Sequence, residues 1–367
     1  MIHHSAEATM MDGPAGGQVP AGTGWFVLNV DDVSWFGLPN HAFTDLQGAV
    51  HWEQYGLSID AIEPGGGAMY HRESHEDESF FVLDGELDLV IEGELHRVEA
   101  GDLIHCPART AHILVGAGER TARVVMLGAR NRSTEPRWCE YVPDEQAASL
   151  GKSVSELTRE PAVAYADYPA MTPQPNAGRW SLDRSARTTT RSEVRLHGRA
   201  PEARADWFVM HVDDMPWVDN GLVARCIFDR VGSFEQYGLV IHVLRPGEPN
   251  CRYHRESFDE TMLVLDGEAV LIVEGEERTV RAGDVIHCPA GAAHVFVGAG
   301  DRPCAIFMLG SRDPALEQEH GWGEYVPDPT AARYGASVEH RTTSADEAYA
   351  ERPAFEPASP PWILRRA

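Results

Sequence analysis

The chain has 367 residues, 43% of them hydrophobic and 24% charged, which is the composition of a globular protein with full hydrophobic cores. It carries 31 Lys and Arg against 57 Asp and Glu, a formal net charge of -26, which repels phosphate backbones and anionic membrane surfaces. We therefore expect no nucleic-acid partner and no membrane partner. No apolar run reaches signal-peptide or membrane-span length, which predicts a cytoplasmic protein, and six cysteines without a CxxC pair predict reduced thiols.

An internal repeat organises the chain. The segment Trp25-Phe26-Val27 returns as Trp207-Phe208-Val209, and Ile104-His105-Cys106-Pro107 returns as Ile286-His287-Cys288-Pro289, both 182 residues later. A repeat of this length is a duplicated domain, because solenoid units run only about 20–50 residues. The predicted segments are a flexible N-terminus at 1–23, a first domain at 24–170, a basic Ser/Thr/Pro-containing linker at 171–205, a second domain at 206–355 and a tail at 356–367.

Each copy consists of short runs rich in Val, Leu, Ile and Phe that alternate with turn residues. In the first copy one such run ends at Asp84-Gly85, a hairpin signal, and the next run ends at Glu92-Gly93. Many short strands with close turns are typical of barrels and sandwiches. The segments that follow Pro143 and Pro327 predict short helices outside each barrel. The sequence therefore predicts an all-β fold with short peripheral helices.

A set of glycines, histidines, carboxylates and one proline occurs in the same order in both copies. The first copy has Gly65, His71, Glu73, Glu78, Gly85, Gly101, Pro107 and His112, and the second has Gly247, His254, Glu256, Glu260, Gly267, Gly283, Pro289 and His294. The intervals within the second signature, from glycine to proline to histidine, are identical in the two copies. On these residues the chain resembles the cupin superfamily, over both repeats. The resemblance implies two tandem jelly-roll β-barrels, each with one divalent metal ion.

Two positions depart from the cupin pattern. The second histidine of the family's His-x-His pair is a glutamate in both copies, Glu73 and Glu256. Arg109 stands where the family usually has glycine, whereas the second copy keeps Gly291. An arginine at that place can bind a carboxylate through two parallel hydrogen bonds, so a carboxylated substrate would favour the first barrel.

The candidate ligands are two histidines and two glutamates per barrel. Side chains at i and i+2 of a strand point to the same face, so His71 and Glu73 can both face the barrel interior. Together with His112 they have the residue types of the two-histidine, one-carboxylate triad, and Glu78 is either a fourth ligand or a base beside it. By the repeat, the second set is His254, Glu256, Glu260 and His294. Buried carboxylates need a compensating cation, which favours a divalent metal over a metal-free hydrogen-bond network.

These observations predict a metal-dependent enzyme acting on a small oxygenated organic substrate, with a dioxygenase-type reaction preferred. Fe(II) or Mn(II) is the favoured ion, and zinc, nickel and cobalt stay open. Glu78, Glu260 and Arg109 are the catalytic candidates. The alternatives are a non-catalytic metal-binding, ligand-binding or storage cupin, and a cupin isomerase, decarboxylase or hydrolase, because the fold does not determine the reaction. A homo-oligomer is also left open.

Overall fold

A computed structural model describes residues 5–130, 138–174, 180–182, 195–199, 205–232 and 234–361. Of the described residues, 47% lie in strands and 9% in helices, which confirms the predicted all-β class. No helix within these ranges is long and apolar enough to cross a membrane. Most of the predicted basic linker, including Arg179, Arg184, Arg187, Arg191 and Arg204, lies outside the described residues.

In the part of the chain that the structure describes, fourteen strands precede the first helix. They are β1 (Met10–Asp12), β2 (Gln18–Pro20), β3 (Phe26–Asn29), β4 (Trp35–Leu38), β5 (His41–Thr44), β6 (Tyr55–Ile62), β7 (His71–Glu73), β8 (Glu78–Asp84), β9 (Glu86–Ile91), β10 (Glu94–Glu99), β11 (Asp102–Cys106), β12 (His112–Ala117), β13 (Ala122–Ala129) and β14 (Cys139–Tyr141). Among the described residues that follow, two short helices and two strands lead toward the second repeat: α1 (Glu145–Ser149), α2 (Pro161–Ala164), β15 (Thr172–Pro173) and β16 (Arg195–Gly198).

The second repeat follows the same order of elements. Its strands are β17 (Trp207–His211), β18 (Trp217–Asp219), β19 (Val223–Ile227), β20 (Tyr237–Leu244), β21 (His254–Glu256), β22 (Glu260–Asp266), β23 (Glu268–Val273), β24 (Glu276–Arg281), β25 (Asp284–Cys288), β26 (His294–Ala299), β27 (Cys304–Ser311), β28 (Gly323–Tyr325) and β29 (Glu356–Ala358). Its helices are α3 (Pro314–His320), α4 (Pro329–Ala332) and α5 (Ala345–Ala348), with two 3-10 helices at Val212–Asp214 and Phe228–Arg230.

Contacts divide the chain into two units. The first-barrel unit comprises residues 12–19 and 32–214, and the second-barrel unit comprises residues 1–11, 20–31 and 215–367. In the first-barrel unit a nine-stranded sheet of order β15-β4-β5-β6-β13-β8-β11-β17-β16 and a five-stranded sheet of order β10-β9-β12-β7-β14 supply the two walls. The second-barrel unit has an eight-stranded sheet, β29-β18-β19-β20-β27-β22-β25-β3, and a five-stranded sheet, β24-β23-β26-β21-β28. These walls confirm the predicted tandem jelly-roll barrels.

The first strand of each repeat pairs with the sheet of the other repeat. In the second-barrel unit β3 pairs antiparallel with β25, so that Phe26 lies opposite His287. In the first-barrel unit β17 pairs in the same way with β11, so that Phe208 lies opposite His105. The contact units therefore differ from the domain boundaries predicted from the repeat at these two strands. The sequences of β11 and β25 differ at one position, so the edge that each of them offers to an incoming strand is nearly the same.

The predicted turns and peripheral helices are present. Glu92 and Gly93 have φ of 48° and 78°, the paired positive values of a type I′ turn between β9 and β10, and Glu274 and Gly275 repeat them with 50° and 80°. Helix α1 is capped by Asp144, whose side chain accepts a hydrogen bond from the amide of Ala147. Ala147 is fully buried in a cluster that includes Tyr70 and Val90, so α1 covers the outside of the five-stranded sheet.

Candidate metal centres

Three strands bring the first set of candidate ligands together. His71 and Glu73 lie on β7, Glu78 begins β8, and His112 begins β12, which pairs with β7 so that His112 lies opposite His71. One ligand atom from each of these four residues lies within 4.8 Å of the others. The structure thus brings together all four first-barrel residues that the sequence predicted.

The histidine rings of this set are oriented by backbone carbonyls. His71 Nδ1 lies 2.6 Å from the carbonyl oxygen of Met69, and His112 Nδ1 lies 2.9 Å from that of Thr110. A carbonyl oxygen can only accept, so each Nδ1 carries a proton and Nε2 is the ring atom that each histidine turns toward the centre of the set. His71 Nε2 is 2.9 Å from Glu73 Oε1, and His112 Nε2 is 2.8 Å from Glu78 Oε2.

A cation fits the atoms at the centre of this set. His112 Nε2 and Glu78 Oε2 are buried, and neither has a hydrogen bond of acceptable geometry despite their short separation. Burial, and then the charge of Glu73, raise the pKa of Glu78, and a bound cation would offset both effects. Two imidazole nitrogens and two carboxylates are a donor set for a divalent transition-metal ion.

The second set consists of three residues. One ligand atom each from His254, Glu260 and His294 lies within 4.8 Å of the others, and the closest pair is His294 Nε2 with Glu260 Oε2 at 3.2 Å. His254 Nδ1 lies 2.9 Å from the carbonyl oxygen of Arg252, and His294 Nδ1 lies 3.1 Å from that of Ala292. Each ring therefore presents Nε2 to the centre, as in the first barrel. Burial raises the pKa of Glu260 to about 8.

Glu256 is outside this group. Its Oε1 lies 3.8 Å from His254 Nε2, whereas the corresponding separation for Glu73 in the first barrel is 2.9 Å. Burial and the charge of Glu260 raise the pKa of Glu256 to about 8. The segment from His254 to Glu260 is one residue shorter than that from His71 to Glu78. The predicted ligand role of Glu256 stays a prediction.

The second set opens onto a cavity of about 440 Å³. Its walls include the aromatic and sulfur-containing side chains of Phe258, Met262, Met308, Trp322, Tyr325 and Tyr349. Arg225, His242 and Asn250 also line it, and sequence reasoning missed all three. None of the three belongs to a recognised motif. The one available sequence signal was Arg225, a basic residue within an apolar strand.

Arg109 is held by groups of its own barrel. Its φ is 74°, the left-handed value that Gly291 adopts with 86° at the matching position, so the side chain is carried at a strained backbone position. The Nε of Arg109 donates to the carbonyl oxygen of Ser74 at 3.3 Å, and the guanidinium lies 5.9 Å from the ring centroid of Trp138. That Arg109 acts on a substrate stays a prediction.

The repeated His-Cys pairs divide between two faces of their strands. His105 Nδ1 lies 2.9 Å from Ser79 Oγ, and its ring is 5.5 Å from that of Phe208 on the exchanged strand β17. Cys106 lies in the hydrophobic core of the first barrel, and all six cysteines are free thiols. The copy in the second barrel is the same, with His287 against Phe26. These histidines therefore pack against the exchanged strands, away from the metal sets.

Comparison with known proteins agrees with this geometry. The Cupin domain family matches the chain twice, at residues 59–128 and 240–310. The chain thus contains two cupin domains. It is a bicupin, since each match falls in one of the two barrels and covers the residues of one metal set.

Two curated proteins are distant relatives of this bicupin. Quercetin 2,3-dioxygenase of Bacillus subtilis (strain 168) is 23% identical over 228 residues, which cover 62% of this chain and 64% of the relative. Tetracenomycin polyketide synthase protein TcmJ of Streptomyces glaucescens is 28% identical over 97 residues, which cover 26% of this chain and 65% of the relative. The chain thus spans a little under two thirds of the length of each relative.

Solved structures share the bicupin fold. Oxalate decarboxylase of Bacillus subtilis superposes with a TM-score of 0.50 and 18% identity, covering 78% of this chain and 76% of that one. A glyoxylate-induced protein of Pseudomonas aeruginosa gives a TM-score of 0.51 and 13% identity, covering 84% and 96%. At these identities the likeness is one of fold.

Proposed function

We propose that this bicupin is a metal-dependent enzyme that acts on a small oxygenated organic substrate, by a dioxygenase-type reaction in which both atoms of dioxygen enter the substrate. One observation carries the proposal: His254, Glu260 and His294 converge at the wall of a cavity of about 440 Å³. This volume lies within the range of small-molecule sites, about 300–1,000 Å³. A ligand set that opens onto such a space suits catalysis better than a closed structural site.

The ion would be held by His71, Glu73, Glu78 and His112 in the first barrel, and by His254, Glu260 and His294 in the second, with Glu256 as a further candidate. When bound, an Fe(II) or Mn(II) ion supplies a Lewis-acid and redox centre with coordination positions open to substrate, and zinc, nickel and cobalt suit the same donors. The carbonyl contacts at each Nδ1 keep the imidazoles oriented before the ion arrives, so little reorganisation accompanies binding.

The protein groups around the second set bind the substrate and exclude water. Aromatic and methionine side chains cover much of the cavity wall, so a substrate that fills the space displaces water from the ligand atoms. Glu260 in the second barrel and Glu78 in the first are placed either to bind the metal ion or to accept a proton from a substrate hydroxyl. The described cavity favours the second barrel as the place of reaction, whereas the sequence favoured the first barrel because of Arg109.

The relatives lend support without deciding the reaction. The dioxygenase-type reaction agrees with the name of the quercetin 2,3-dioxygenase relative and with the two-histidine, one-carboxylate donor types. The same pocket also suits a decarboxylase, isomerase or hydrolase, or a cupin that binds without reacting. These alternatives give different results in one experiment.

The experiment is oxygen uptake by anaerobically prepared, Fe(II)-loaded protein, offered phenols, diketones and carboxylic acids in turn. We expect uptake with at least one class, and a loss of about 100-fold or more in His294→Ala. His340→Ala, a matched substitution at an exposed histidine, keeps full activity. Substrate consumption without oxygen uptake would replace the dioxygenase reaction by one of the other enzyme classes. If the protein binds metal but turns over none of these substrates, the non-catalytic binding protein is the remaining hypothesis.

A further inference from the structure

An arginine with an unused hydrogen-bond donor lines the cavity of the second barrel. Arg225, on β19, shares that cavity with His254 and Glu260. Its Nη2 donates to the carbonyl oxygen of Asn250 at 2.8 Å, and its guanidinium lies 4.4 Å from the ring centroid of Phe355. Its Nε is buried without a hydrogen-bond partner. The structure records no ion pair between Arg225 and any described residue, so neutral groups hold this cation in place.

A second donor stands beside it. Arg225 lies directly opposite His242 in the register of β19 and β20, and directly opposite residues share one face of a sheet. Asn250 Oδ1 accepts from the amide of Phe296 at 3.0 Å, so its NH₂ group faces His242 Nδ1 at 3.4 Å. Burial, and then the positive charge of Arg225, hold the pKa of His242 well below its usual value. The ring is therefore neutral, with its proton on Nε2.

The first barrel has no such pair at the matching place. Phe43 and Asp60 stand opposite each other in the register of β5 and β6, each 182 residues before Arg225 and His242. Asp60 lies 2.7 Å from His41 Nε2 and accepts from Ser58 Oγ at 2.5 Å. An apolar ring and a carboxylate at these positions disfavour an anion, whereas an arginine and a neutral histidine favour one.

We propose that Arg225, assisted by His242, binds the carboxylate of an aromatic carboxylic acid in the second barrel. A guanidinium matches a carboxylate through parallel hydrogen bonds, and Arg225 has Nε available for one of them. The aromatic part of the ligand follows from the wall, because Trp322 and Tyr325 both line the cavity and aromatic side chains pack favourably against another ring. The inference rests on the proposed function in placing substrate at this cavity, and it names the substrate class.

Calorimetric titration with benzoate and benzamide tests it, because the two probes share shape and differ in charge. We use the full chain with and without Zn²⁺, an ion that supports no redox turnover. Wild type is expected to bind benzoate at least about tenfold more tightly than benzamide. Arg225→Gln should lose this preference by weakening benzoate about tenfold with benzamide unchanged, and Arg225→Lys should restore part of it. Melting temperatures show that each variant is folded.

Arg333→Gln, at an exposed arginine of the second barrel that does not line the cavity, is the matched control, and it should keep the benzoate affinity of wild type. The inference is overturned by equal binding of the two probes, by no benzoate binding, by an unchanged benzoate affinity in Arg225→Gln, or by an equal loss of benzoate affinity in Arg333→Gln. The zinc stoichiometry separates this result from the proposed function. Protein that takes up no zinc but still binds benzoate through Arg225 contradicts the enzyme and leaves the anion site standing.

Discussion

Each candidate metal histidine is oriented by the backbone two residues before it in the chain. In all four the Nδ1–H donates to the carbonyl oxygen of residue i−2, at distances between 2.6 and 3.1 Å: Met69 for His71, Thr110 for His112, Arg252 for His254 and Ala292 for His294. The contact joins residues only two positions apart, so it depends on the local backbone at the start of each strand. It selects the tautomer that presents Nε2, which is the form that binds a metal.

Glu260 and Glu256 should differ in their effect on metal affinity. Glu260 Oε2 faces His294 Nε2 inside the second set, whereas Glu256 lies outside it. We therefore expect Glu260→Gln to weaken Mn²⁺ binding at the second barrel by at least about 100-fold, and Glu256→Gln to weaken it less than about tenfold. Titration of His112→Ala protein, in which the first set is broken, isolates the second site. An equal loss of Mn²⁺ affinity in the two glutamine variants would contradict this difference and would indicate that Glu256 is also a metal ligand.

At the scale of single elements, the exchanged strands connect each repeat to the stability of the other barrel. Phe26 is 1% exposed on β3 and packs against His287 of β25, and Phe208 is 2% exposed on β17 and packs against His105 of β11. Removing a buried phenylalanine ring costs about 3–5 kcal/mol. This loss of stability should occur in the barrel whose sheet the strand joins, and not in the barrel formed by the rest of its own repeat.

Hydrogen exchange on Phe26→Ala tests this pairing. We expect faster exchange in peptides that cover Asp284–Cys288, and little change over Trp35–Leu38, which follows Phe26 closely in the chain but lies in the other unit. The reciprocal variant, Phe208→Ala, should speed exchange over Asp102–Cys106. Faster exchange at Asp102–Cys106 in Phe26→Ala would show that β3 pairs with its own repeat.

Short sequence patterns predicted the barrels and the first metal set. The strand exchange and the position of Arg225 depend on which strands pair, and short patterns do not contain that information. The 182-residue repeat, the turn at Glu92-Gly93 and the i, i+2 spacing of His71 and Glu73 depend on short stretches, and the structure has each of them. The strand exchange could not be predicted, because β11 and β25 offer nearly the same edge. Arg225 was missed because its place in the cavity depends on pairing with β20.

At the scale of the whole molecule, duplication has kept the histidines of both metal sets and changed the walls around them. The first barrel has Phe43 and Asp60 where the second has Arg225 and His242. This difference leaves the ligand histidines untouched, so both barrels can hold an ion while one binds a carboxylate. A duplicated enzyme can in this way separate the residues that hold its metal from those that choose its substrate.

The measurement that tests the account most directly is the metal content of purified, Mn²⁺-loaded protein by plasma emission, for wild type, His112→Ala and His294→Ala. With one ion per barrel, wild type should contain close to two equivalents, and each variant should lose about one because its set keeps a single histidine. The double variant should be nearly metal-free. Unchanged metal content in either single variant would contradict the assignment of that barrel's ligands, and a wild type without bound metal would contradict the account as a whole.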